Sequence, residues 1–150
     1  MASTSPDPQT WSAVAAQLSP ARNYWLGTTR ADGSPHAAPV WGVVADDVLY
    51  AYTEVDTVKA RNLRADPRCL VHLESGDDVV MVRGTMAPVT DAALVADLLP
   101  VFAAKYPDPA DLPYLPVGPP GEVVLALTPV SAMTWQLGDY NGSQQRWSAP

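Results

Sequence analysis

The sequence predicts a mainly β protein with short helices, a small antiparallel barrel of about six strands. Three observations carry this. Short runs rich in Val, Tyr, Trp and Thr recur along the chain, and clusters of Gly, Asp and Pro punctuate them. Tight turn signals such as Asp32-Gly33 join neighbouring runs, so they read as hairpins. Helical spacing is confined to short stretches between the runs.

Taken in order, Asp7-Pro8 ahead of QTWSAVAAQL reads as a cap and a first-turn proline, opening a short helix that ends before Ser19-Pro20. Residues 1–20 thus form an N-terminal helix and arm that caps one end of the barrel, and 21–150 form the barrel itself, within a single domain. NYWLGTTR, the Asp32-Gly33 turn, PHAAPVWGVV, a second turn at Ala45-Asp46-Asp47 and VLYAYT read as a three-stranded meander. TVKARNL follows as a helix closed by Asp66-Pro67, then CLVHLE as a strand. VVMVRGTMAPV is the next strand, with Gly84 marking a bulge where it bends. TDAALVADLLPVFAAKY carries Leu94, Val95, Leu98, Leu99 and Phe102 at helical spacing behind a Thr90 or Asp91 cap, and Pro100 kinks or divides it. The Pro-rich PDPADLPYLPVGPPG reads as an extended connection, EVVLALTP and SAMTWQL as two strands, and the tail GDYNGSQQRWSAP shows no strong periodicity.

Composition excludes several classes. A net charge of -7 repels phosphate backbones and anionic membranes, which argues against nucleic-acid or lipid partners. No run approaches the roughly 20 apolar residues of a membrane span. The start MASTSPDPQT lacks the pattern of a secretory signal, and the lone Cys69 has no intrachain partner for a disulfide, so a cytoplasmic location is expected. His36 and His72 have no Cys or carboxylate at ligand spacing, so no metal site is expected. Each reads as an ordinary surface or core residue before it reads as a haem ligand. No G-x-S-x-G, P-loop or dinucleotide fingerprint occurs.

Against that acidic background, Lys59, Arg61, Arg64 and Arg68 cluster in TVKARNLRADPR. At about 100° per residue Lys59 lies near Asn62 and Leu63 on the face that docks on the barrel, and Arg61 and Arg64 lie opposite. Thr57, the Lys59 ammonium and the unpaired first-turn amides would make a compact phosphate site. The same residues also suit a solvated helix capped by Asp56, with Lys59 snorkelling over apolar surface.

The run from Trp25 to Glu74 resembles the N-terminal core of the pyridoxamine 5'-phosphate oxidase-like split-barrel family, in particular a branch of small proteins that bind FMN or the deazaflavin F420. The likeness lies in an ordered series: a DGxPH turn, PVW, YT, a K-x-x-N helix ending in DP, and late Trp and Arg-Trp elements. It covers Tyr24 to Val89 and resumes from Trp135 to Trp147. The resemblance implies a six-stranded split barrel and a homodimer with a cofactor in each cleft between subunits. It places the cofactor anion on Tyr52, Thr53, Thr57, Lys59 and Asn62, and its ring along Pro39, Val40 and Trp41. Trp135, Arg146 and Trp147 would reach the cofactor or the neighbouring subunit. Trp41 and Trp135 also read as barrel core, and Arg146 as a frayed tail.

Two departures separate this chain from the oxidase proper: Ala38 or its neighbours stand where that enzyme has a phosphate-binding Arg, and Val58 replaces the Arg that commonly precedes the Lys. Fewer cations weaken a hold on the FMN phosphate, so F420 is preferred over FMN. The expected activity is hydride transfer between that cofactor and a small conjugated or unsaturated substrate, with no protein acid or nucleophile required. The alternative is a non-enzymatic flavin, F420 or haem carrier or sensor on the same barrel. Arg61 and Arg64 pair with local acids, or meet the glutamyl tail of F420.

Overall fold

The computed structural model describes residues 9–150; the Asp7-Pro8 cap lies outside them. Helix α1 (Trp11–Leu18) is capped instead by Thr10, whose hydroxyl accepts the Ala13 N–H at 3.1 Å. Val14 and Leu18 are fully buried against the barrel. The strands are β1 (Tyr24–Thr29), β2 (Pro35–Val40), β3 (Gly42–Ala45), β4 (Val48–Glu54), β5 (Arg68–His72), β6 (Asp78–Pro88), β7 (Glu122–Gln136) and β8 (Gln145–Ser148). Helices α2 (Val58–Ala65) and α3 (Ala92–Lys105) follow β4 and β6.

Every pairing is antiparallel, in the order β2-β1-β5-β6-β7-β4-β3, with β8 also on β7. The expected run PHAAPVWGVV breaks at Trp41, because β2 pairs β1 while β3 pairs β4 through a turn with positive φ at Asp46 and Asp47. The expected three-stranded meander is therefore two separate hairpins. Strands β2 and β3 lie at opposite ends of the ladder yet are one residue apart in the chain. Two Cα–Cα steps span at most about 7.6 Å. Trp41 thus draws the two sheet edges together, and this closure makes the sheet a split barrel, of eight strands rather than six.

The two strands expected between Glu122 and Leu137 are one, β7, which pairs β6 along its length, β4 with its first part and β8 with its last. A register shift lies between Arg83 and Gly84, where Val130 is the extra residue on β7, so the bulge expected at Gly84 is present. Pro129 faces Gly84 there. A bulge tolerates a residue with no N–H, so the proline does not end the strand.

Alternation along β1 puts Tyr24, Leu26 and Thr28 inside, and these join Leu49, Val71, Val82, Met86 and Leu125 in the barrel core. A second cluster packs Val95, Leu98 and Phe102 of α3 on Val43, Tyr50 and Val124. Asp91 caps α3, and the helix continues through Pro100, which is exposed, so water can serve the carbonyl that it leaves free. Among the described residues no helix is long and apolar enough to cross a membrane.

Candidate functional site

The seam at Trp41 opens into a cleft of about 480 Å³. Pro39, Val40 and Trp41 form one wall; Tyr52, Thr53 and Glu54 at the end of β4 form another; Thr57 and Lys59 of α2 close one end. Asn23, Pro113–Leu115 and Glu122 complete it. Chain connectivity brings these together: β4 runs directly into α2, and β2 ends at the seam.

Thr57 is the N-cap of α2, displacing the alternative Asp56 cap. Its hydroxyl accepts the Ala60 N–H at 3.3 Å, donates to the Glu54 carbonyl at 3.0 Å and lies 2.9 Å from the Thr53 hydroxyl. The hydroxyl is therefore engaged in holding the turn. The amides of Val58 and Lys59 sit in the first turn, where helix geometry offers no acceptor. Lys59 is half-buried, and among the described residues its side chain makes no hydrogen bond or ion pair. Burial lowers its pKa, with Glu54 acting in the opposite direction. An ammonium partly stripped of water beside a positive helix end favours an anion.

Asn62 is buried and donates to the Thr28 hydroxyl at 3.0 Å, which ties α2 to β1 outside the cleft. Arg61 and Arg64 donate to the carbonyls of Asp56 and Val55 rather than to acids. Within one chain Trp135, Arg146 and Trp147 do not border the cleft. Trp135 packs edge-on to Tyr140 at 5.7 Å, and Trp147 of β8 packs on Trp11 at 5.2 Å. Arg146 and Trp147 line a groove with Leu70, Met81 and Met133 on the open sheet face.

Trp41 is held on several sides. Its ring stacks on Tyr106 at 4.2 Å and its Nε1 donates to Asn23 at 3.1 Å, while the Arg22 guanidinium lies 5.0 Å from the ring centre. The Tyr106 hydroxyl donates to the Arg22 carbonyl at 2.7 Å and accepts the Gly42 N–H at 3.1 Å. Lys105 donates to the Tyr24 hydroxyl at 2.8 Å and the Gly42 carbonyl at 2.7 Å.

Burial lowers the Lys105 pKa to about 8. In the unfolded chain the same group holds its proton to about pH 10.4. Between these values the unfolded state binds more protons, so this lysine makes stability rise with pH. Tyr24, whose pKa burial raises, reverses the trend from about pH 10 upward. Cys69, whose pKa burial raises, opposes the rise above about pH 8.5, so urea melts from pH 8 to 10 should read the lysine as a difference: the parent's stability should gain on that of Lys105→Met as pH rises.

Asn23, Glu54, Glu122 and the 113–115 segment were not singled out by the sequence. Tyr114 and Leu115 lie in the Pro-rich connection, which contains a 3-10 helix, Pro109–Tyr114, where no regular structure was expected. The Tyr52 hydroxyl donates to the Tyr114 carbonyl, and Glu122 accepts the amides of Val117 and Gly118 at 2.6 and 2.9 Å.

Comparison with known proteins matches this architecture. A hypothetical protein of Mycobacterium tuberculosis superposes with a TM-score of 0.71 at 23% identity, over 91% of this chain and 91% of that one. A heme binding protein from Mycobacterium smegmatis gives 0.72 at 16%, over 96% of this chain and 60% of that one. An F420 reductase gives 0.57 at 21%, over 83% and 97%. At these identities the likenesses show the fold alone. No curated protein matches the chain. The family model described as pyridoxamine 5'-phosphate oxidase matches residues 10–136, which span the whole barrel except β8, and the chain belongs to that family.

Proposed function

We propose that the cleft binds F420 in preference to FMN and that the protein is an oxidoreductase working as a homodimer. One observation carries the reading: a half-buried, unpaired Lys59 ammonium stands at the start of α2 in a cleft walled by Pro39, Val40 and Trp41. Lys59 and the first-turn amides would hold the anionic group of the cofactor, and the β2 wall would orient the ring and exclude water. When bound, such a cofactor supplies hydride transfer to or from a small conjugated or unsaturated substrate.

Charge balance favours F420. The cleft offers one ammonium, with the Glu54 carboxylate nearby. A phosphodiester, as in F420, carries one negative charge; a phosphate monoester, as in FMN, carries about 1.5 to 2 at neutral pH. The neighbour named an F420 reductase supports the same direction. Arg146 and Trp147 lie away from their own cleft on a sheet face that also carries the exposed Leu70, which supports a second copy there.

The test is a titration of F420, FMN and haemin into one preparation, with molar mass from light scattering. F420 should bind most tightly, to a particle of about twice the 16.0 kDa chain. Oxidation of reduced F420 by an electron acceptor would separate an enzyme from a carrier. Binding of haemin alone, or of none of the three, would overturn the reading.

A further inference from the structure

The segment over the cleft mouth is fastened unlike the rest of the fold. It runs from Pro107 to Tyr114, between Tyr106, which is 2% exposed, and Leu115, which packs on the second core cluster. Its large apolar side chains point outward, with Leu112 67% and Tyr114 68% exposed. Pro107, Pro109 and Pro113 have no N–H to give. What holds it is polar. Asp111 takes both terminal nitrogens of Arg22 at 2.8 and 2.9 Å, and Tyr52 donates to the Tyr114 carbonyl. Segments with few buried apolar contacts open at low free energy.

The same contacts reach the cleft. Pro113 and Tyr114 line it, the Tyr114 ring meets Trp41 edge-on at 6.4 Å, and the Arg22 guanidinium that grips Asp111 also lies over Trp41. Beneath it, Tyr52 is half-buried, with its ring edge-on to Phe102.

We propose that residues 107–114 are a strap that swings away from the cleft to admit its ligand, and that the Arg22–Asp111 pair is the latch. The strap pivots at Tyr106 and at Leu115, where Glu122 pins the next turn through the Val117 and Gly118 amides. Tyr52, in the cleft wall, is the second fastening. The proposal rests on the cleft being the ligand site but not on which cofactor fills it.

A thiol placed by Tyr52→Cys, which leaves the Arg22–Asp111 pair as the remaining fastening, reports opening through its reaction with Ellman's reagent. The native Cys69 is 8% exposed, with its pKa pushed up by burial to about 12, and it reports only global unfolding. Adding Asp111→Asn should speed labelling of the introduced thiol about tenfold and leave Cys69 unchanged. Arg22→Gln breaks the same pair from its exposed side and serves if the first variant fails to fold. In the unlabelled Asp111→Asn protein, F420 should associate and dissociate faster together. An equal labelling rate with and without the latch overturns the strap, as does a parallel rise at Cys69. Faster labelling with no cofactor binding would leave the strap standing and remove the cofactor assignment; cofactor binding with unchanged labelling would do the reverse.

Discussion

Lys59→Ala should weaken F420 binding by roughly 10- to 150-fold, the loss of one charge-assisted contact worth about 1.5–3 kcal/mol. The side chain makes no ion pair among the described residues, so its removal breaks no structural contact and the folded barrel should remain. Thr57 keeps its cap and Asn62 its bond to Thr28. A fluorescence titration of both proteins against F420 measures the difference. Affinity in the parent should fall with salt, because Lys59 is only half-buried and its charge is screened. It should also fall as pH rises, starting below the usual lysine value of about 10.4, because burial has lowered the pKa of this ammonium and only its charged form attracts an anion. In the Lys59→Ala protein that alkaline fall should vanish. An unchanged affinity for both F420 and FMN would place the anion elsewhere.

What the sequence made legible was local. The Asp32-Gly33 hairpin, the α2 helix with its apolar and basic faces, and the bend at Gly84 each follow from residues within a few positions of one another. The break at Trp41 left no such mark. PHAAPVWGVV is an unbroken strand-like run, and only its partners, at opposite ends of the sheet, divide it. Pro129 misled in the other direction. A proline ordinarily ends a strand, but here it meets a bulge that asks for no N–H. β8 is four residues long and too polar to show alternation. For the site, Thr57 and Lys59 could be named from one short helix start, and the Pro39–Trp41 wall from the family resemblance. The strap could not, since its latch joins residues 89 positions apart and a Pro-rich stretch has no period.

Gly84→Ala should destabilise the protein by about 3 kcal/mol or more, at the upper end of what overpacking costs. A Cβ at this position would lie 2.3 Å from the Thr128 carbonyl oxygen and 3.1 Å from the Pro129 Cα, and neither can turn aside as a side-chain tip would. Relief requires β6 and β7 to part at the middle of the longest ladder in the sheet. For a chain of this size the midpoint of a thermal melt should drop by roughly 6–12 °C. Gly76→Ala is the matched control. A Cβ there would meet nothing within 4 Å beyond its chain neighbours, so its melt should stay within about 0.5 kcal/mol of the parent. The effect should extend to binding. β4, which carries Tyr52 and Thr53, pairs with β7 only before the bulge, whereas β8 pairs with it only after. The bulge therefore sets the angle between the part of the barrel that holds the cleft and the rest. A Gly84→Ala protein still folded at low temperature should bind F420 more weakly although no cleft residue has changed. A melt that matches the Gly76→Ala control would mean that the two strands separate there at little cost, and that the angle is set elsewhere.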